Sequence, residues 1–401
     1  MKRYGSVRSM KFRRFCTLSC FLACSSVTTS AFAATLIVDN DFVECPQADF
    51  SSIQEAVTAA HPGDKILVCP GIYPETVEVS KSDLRIEAQA APGEVVLEGS
   101  RTRPVGFHLL NTTGVLLQGF TVRNFTSSNV RIEGSSVNTS SGNTVRKNIS
   151  TLLVGPAASS SIQVLNSSNN VVEQNTAFGN CSLCNGISVA GAASSDNIVR
   201  HNETFLNGQA GVQTNASGPR NVLFGNRSHD NAIGIRNIFA SNETVIENNH
   251  VFANGSATAA VSGGIIVGMS TLVTVRNNRS ERNAAFGIRL QNGSTNNLVE
   301  KNEVFENNAD GIRLEPTVAA GTLPVTGNVV QLNHVRGSGR DGIRVFSSLA
   351  HDNTIERNVI RESAEHDAHD DSVGAGTGGT ANLWIENKCE TENRPELCKN
   401  P

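Results

Sequence analysis

Asn169-Asn170-Val171-Val172-Glu173-Gln174-Asn175 decides the fold of this chain, because it returns. It recurs as Asp196-Asn197-Ile198-Val199-Arg200-His201-Asn202 and as Asn296-Asn297-Leu298-Val299-Glu300-Lys301-Asn302. The closing Asn falls at 148, 175, 202, 226, 249, 278, 302, 333 and 358. A second landmark follows most of these, a Gly and an aliphatic residue: Gly186-Ile187, Gly211-Val212, Gly234-Ile235, Gly264-Ile265, Gly287-Ile288, Gly311-Ile312 and Gly342-Ile343. A fixed period of about 25 residues marks a repeat architecture.

The apolar runs are short and β-branched, and Asn, Gly or Ser interrupts them. No stretch between 100 and 360 sustains helical periodicity, so the runs read as strands. One coil cannot bury its own apolar face, so coils must stack. Stacking in one direction gives parallel strands about 4.8 Å apart. An Asn at one turn of every coil then forms an amide ladder. Asn also tolerates the left-handed backbone that such turns need.

The residues that carry this pattern resemble right-handed parallel β-helix proteins of the pectate-lyase-like superfamily, over roughly residues 35–365. The resemblance implies an all-β, right-handed parallel β-helix solenoid of about ten or eleven coils across 71–365. Residues 34–70 are expected to form the N-terminal cap. There Thr35-Leu36-Ile37-Val38 reads as a strand, and Ser52 with Glu55 fits a capping box opening a helix to about Ala60. Gly63 to Glu75 resembles the opening of many β-helix enzymes, pectin methylesterases among them. Residues 366–401, with the chain's single Trp at 384, resemble the ending of a group of exported bacterial β-helix proteins and are expected to form an irregular second cap.

Residues 1–33 read as a cleavable secretory signal. A basic start (Lys2, Arg3, Arg8, Lys11, Arg13, Arg14) precedes a mostly apolar run and Ala31-Phe32-Ala33. The run is too short to span a bilayer. Without those six residues, 27 basic side chains face 37 acidic ones, a formal charge of about −10. That argues against nucleic-acid and anionic-membrane partners. Six cysteines remain after the signal, in three local pairs: Cys45/Cys69, Cys181/Cys184 and Cys389/Cys398. In an exported chain these suggest disulfides, the first and last stapling the two ends. Cys181/Cys184 reads as a local disulfide or free thiols rather than a metal site.

Stacking turns each repeat position into a column. Two residues before the ladder Asn, the column reads Arg146, Glu173, Arg200, Phe224, Glu247, Arg276, Glu300, Gln331 and Glu356, and sign alternates in both charged runs of three. It reads as a self-neutralising surface that sets register. A column of Phe178, Phe205, His229, Phe252, Glu281 and Phe305 reads as packing at a corner of the core, not as a sugar platform. After the Gly-Ile landmark stand Arg236, Arg289, Arg313 and Arg344, pointing outward by strand alternation. Asp310, Glu315 and Asp341 are near enough in sequence to neutralise them. The functional alternative is a stripe that binds carboxylates, which the planar guanidinium suits.

The second cluster is His366, Asp367, His369, Asp370 and Asp371. Asp367-Ala368-His369-Asp370 resembles the Asp-Pro-His-Asp/Glu motif of mannuronan C5-epimerases, with Ala368 departing from the Pro. The resemblance implies catalytic roles for Asp367, His369 and Asp370. A turn in a cap is the alternative use, and a divalent metal site, with Ca2+ as the cofactor considered, is a third. Motifs of pectate lyases, polygalacturonases and pectin methylesterases are absent, and fold alone does not fix function. The expectation is a secreted or periplasmic monomer that engages an acidic polysaccharide along the Arg face, with lyase or epimerase chemistry implied by the resemblance. A non-catalytic scaffold or adhesin and periplasmic metal handling are the rival readings.

Overall fold

The computed structural model describes residues 33–399 except 92, 136–139, 152–153, 156–158, 256–261 and 317–322. The expected signal segment lies almost wholly outside the described residues. Three parallel sheets wind into a right-handed solenoid of about 12 turns. Sheet A has 14 strands, beginning with Thr35–Val38 and ending with Leu383–Ile385. Sheets B and C have 12 each. Sheet B runs from Gly71–Tyr73 to Val359–Arg361, and sheet C from Val77–Val79 to Ala368–Asp370. Rungs are thus laid down on both sides of 71–365.

Most sheet A strands are three residues long with the middle one buried, as in Val171–Glu173 and Ile198–Arg200. Those middle residues pair coil to coil, Val172 with Val199 and Val199 with Leu223, so one apolar column fills the interior. Each such side chain contributes about 1.5–3 kcal/mol through burial. The flanking residues face out. There Glu173 pairs with Arg200 at 2.7 Å, Glu247 with Arg276 at 2.9 Å and Glu300 with Gln331 at 2.9 Å.

The amide ladder is present three times. Asn148, 175, 202, 226, 249, 278, 302, 333, 358 and 387 form one unbroken column. Each Asn gives its side-chain and backbone N–H to the Oδ1 of the next, at 2.9–3.0 Å in the stretch from Asn175 to Asn226. A second column joins Asn143, 170, 197 and 221, and resumes at Asn297, 328, 353 and 382. A third joins Asn180, 207, 231, 254, 283 and 307. The left-handed turn sits elsewhere than expected. The residue before the first ladder takes the positive φ (Lys147 55°, Gln174 56°, His201 54°, Lys301 53°), while the ladder Asn itself does not. Asn is therefore selected here for its amide. Asn148, 202, 226 and 278 lie in Asn-x-Ser/Thr sequons and are at most 1% exposed.

At the N-terminal end a helix spans Ile53–Ala59 and buries Ile53, Ala56 and Val57. Ser52 caps it by accepting from Glu55 N–H. The carboxylate that completes the cap is Glu75 of the next coil, which accepts from Ile53 and Gln54 N–H at 2.9 and 3.0 Å. An anion at this position also meets the positive end of the helix dipole. Disulfides join Cys45 to Cys69, Cys181 to Cys184 and Cys389 to Cys398.

Candidate functional site

The outer face of sheet C brings the two expected sites together. Strand pairing places Gln213, Arg236, Ile266, Arg289, Arg313, Arg344 and His369 in one column, each on the rung after the last. His369 lies 25 residues after Arg344, one coil on, in a strand that alternates in burial. Ala368 and Asp370 point inward and His369 outward.

That alternation divides the three residues expected to act as catalysts. Asp370 is fully buried and accepts from Trp384 Nε1 at 2.8 Å, Asn382 Nδ2 at 3.1 Å and Ser372 N at 2.8 Å. Asp367 is 2% exposed and accepts from the backbone N–H of Glu390 at 3.0 Å and Ser363 at 3.2 Å. Both hold the C-terminal end together. His369 instead meets Asp341 through Nδ1 at 3.0 Å and Asp371 through Nε2 at 2.9 Å. His366, one rung beyond Asp341 at the edge of the same face, places Nδ1 3.3 Å from the same Asp341 oxygen.

Asp341 and Asp371 are partners that the local motif did not supply. Asp341 comes from the preceding rung, and Asp371 follows Asp370 by one residue and so returns to the outer face. The hydrogen bond to Asp341, reinforced by that to Asp371, raises the His369 pKa above its ordinary value although burial opposes it. Burial works against the Asp341 carboxylate as well, but His369 and Arg344 outweigh it and the pKa falls. Asp371 is lowered in the same way.

The arginines differ sharply. Arg313 pairs with Asp310 and with Glu315, and Arg289 reaches Glu315 at 2.9 Å. Arg344 pairs with Asp341 at 3.2 Å and Asp371 at 3.0 Å. Their side chains are only 4%, 14% and 11% exposed for Arg289, Arg313 and Arg344. Arg344 also lies over the Phe346 ring, 4.5 Å from its centre. These three are neutralised from within. Arg236 is set apart from them by Ile266 and has no carboxylate partner among the described residues. The segments left undescribed carry no Asp or Glu in sequence. Burial alone lowers the Arg236 pKa. Beside it Gln213 is 2% exposed, its Oε1 unpaired, and a buried apolar cluster of Ala210, Ile233, Ile266 and Phe286 lies on the same face.

The Phe column is not in the core. Phe178, Phe205 and Phe252 face outward from sheet B, half-buried, while Ala177, Thr204 and Val251 point in. Phe178 stacks on Phe205 at 4.7 Å, Phe205 on His229 at 5.2 Å and His229 on Phe252 at 4.7 Å. The stacked rings cover one another's faces along the outside of the sheet.

No curated protein matches the sequence significantly. Among solved structures, the catalytic unit of an α-1,3-glucanase from Streptomyces thermodiastaticus is 14% identical with a TM-score of 0.61, covering 87% of this chain and 67% of that one. XylC in complex with xylose is 11% identical with a TM-score of 0.56, covering 82% and 84%. The A-module of mannuronan C-5 epimerase AlgE4 from Azotobacter vinelandii is 17% identical with a TM-score of 0.48, covering 75% and 93%. At these identities the likeness is one of fold. The profile of the right-handed β-helix region matches residues 96–251, 192–323 and 233–360, and with three parallel sheets wound through all of that span the chain belongs to the right-handed β-helix family.

Proposed function

We propose that this chain acts outside the cytoplasm and binds an acidic polysaccharide on the outer face of sheet C, with Arg236 holding a sugar carboxylate. The observation that carries the reading is the unpaired, half-buried guanidinium. A buried charge without a partner is costly, and a bound carboxylate offsets that cost. Arg offers it two parallel N–H bonds. Three disulfides suit an oxidising compartment. The choice of a carbohydrate over other polyanions follows the glucanase and the xylose complex among the fold neighbours. The Arg stripe of the sequence reading narrows to one residue, because Arg289, Arg313 and Arg344 are already paired.

The test is a binding panel of polygalacturonate, alginate and a neutral glucan at two salt concentrations, with absorbance of unsaturated products recorded alongside. Arg236→Ala is expected to weaken polyuronate binding by about tenfold or more, the loss of one charge-assisted contact of about 1.5–3 kcal/mol. Arg313→Ala is expected to leave it within about twofold, since that side chain faces Asp310 and Glu315. Equal binding by wild type and Arg236→Ala, or no binding across the panel, would overturn the reading in favour of a scaffold.

A further inference from the structure

We propose that Asp341, His366 and His369 form a binding site for a zinc-class divalent cation, with three protein ligands and an open position. The inference stands apart from polysaccharide binding and uses none of the same residues. Asp341 Oδ1 lies 3.3 Å from His366 Nδ1 and 3.0 Å from His369 Nδ1, and one atom from each of the three residues falls within 4.8 Å of the others. Zinc–nitrogen and zinc–oxygen bonds of about 2.0–2.1 Å in a tetrahedron put ligand atoms roughly 3.3 Å apart. Both histidine–aspartate separations already stand near that value.

The surroundings match what a metal ligand set needs. His369 Nε2 is 2.9 Å from Asp371, which fixes the ring and turns Nδ1 toward Asp341. Arg344 holds Asp371 at 3.0 Å and the other oxygen of Asp341 at 3.2 Å, leaving Oδ1 facing the two imidazoles. Asp341 is fully buried, while His366 and Asp371 are each 36% exposed. The ligands are thus rigid on one side and open to solvent on the other. Two imidazole nitrogens and one carboxylate favour zinc, cobalt or copper over calcium, which takes six to eight oxygens. The donor set therefore moves the metal reading away from Ca2+. The site lies five rungs from Arg236 on the same face, about 24 Å along the stack. A metal with three protein ligands keeps a position for water or a substrate oxygen.

The experiment uses untagged protein freed of metal by chelation, titrated with zinc chloride by calorimetry and with cobalt chloride by visible absorption. One zinc per chain is expected, and cobalt should show the intense bands of a tetrahedral or five-coordinate site. His366→Ala is expected to weaken zinc binding at least tenfold with unchanged far-UV circular dichroism, its ring being at the rim. His369→Ala should do the same. His351→Ala, an exposed histidine paired with Asp352, should leave binding unchanged. Absence of saturable one-to-one binding overturns the proposal. So does binding that survives in both His366→Ala and His369→Ala, or calcium binding in preference to zinc. Because Arg236→Ala does not touch the three ligands, loss of polysaccharide binding in that variant with zinc binding intact separates the two proposals.

Discussion

Replacing Asn202 by Ala measures what the amide ladder contributes. Asn202 is 1% exposed in the middle of the stack. Its Nδ2 donates to Val172 O at 2.9 Å and Asn226 Oδ1 at 3.0 Å. Its Oδ1 accepts from Asn175 N at 2.9 Å and Asn175 Nδ2 at 3.0 Å. The substitution removes all four bonds. Asn175 Nδ2 keeps Val145 O as a partner, whereas the Asn175 backbone N–H is left without its acceptor in a buried turn. At about 1 kcal/mol net per bond, and more for the orphaned N–H, the expected loss is about 3–5 kcal/mol. Urea unfolding followed by far-UV circular dichroism gives the number, with the slope checked for a split transition. Asn248→Ala is the control. That residue is exposed at φ 56°, so it should lose only about 1 kcal/mol through backbone strain. A loss below about 1 kcal/mol for Asn202→Ala, with an unchanged slope, would refute the claim that the amides hold one coil on the next.

Two further outcomes are expected. Asp370→Asn removes the carboxylate that Trp384, Asn382 and Ser372 share, and should cost about 2–4 kcal/mol, with Trp384 fluorescence shifting to the red; unchanged emission would argue against a structural role. Asp64 accepts from His61 N–H and Ala34 N–H at 2.7 Å each, and these bonds hold its pKa below the ordinary carboxylate value. A lowered folded pKa stabilises above the unfolded value and is lost as pH falls through the folded one. Protection of the first rung, Thr35–Val38, against hydrogen exchange, taken relative to the intrinsic rate at each pH, should therefore fall on acidification in wild type and depend less on pH in Asp64→Asn.

The period was legible because every coil must repeat the same solution. Val172, Val199 and Leu223 occupy one interior column, and any coil breaking that pattern would leave a gap in it. The outward Glu173–Arg200 pair could be read from alternation of sign alone. Facing direction was harder. Phe178 and Phe205 suggest a core by composition, yet the small Ala177 and Thr204 between the turns are the inward residues. Sheet B interiors tolerate small side chains, so hydrophobicity gave the wrong side. The candidate site was half legible. The Arg column and its neutralisation by Asp310, Glu315 and Asp341 were visible, but the pairing of Arg344 with Asp371 depends on three-dimensional reach across rungs. In sequence His369 looks like part of a local motif, because Asp367-Ala368 replaces Gly342-Ile343 and disguises one more repeat.

The ladders also have a direction. In each link an N–H of one coil meets the oxygen of the next, so all the side-chain amides along a column are aligned. Aligned amides add their dipoles, as peptide groups do along a helix. Each column is then electrically polar, with oxygen toward its N-terminal end, where Val115 N–H and Phe120 N–H meet the first amides of two columns, and N–H toward its C-terminal end. For the column that ends at Asn382, the last Nδ2 meets the carboxylate of Asp370 at 3.1 Å. An anion stands where the amide column turns positive, and with Ala350 O and Ser372 Oγ it completes the acceptors around the last amide, so the row ends inside the molecule.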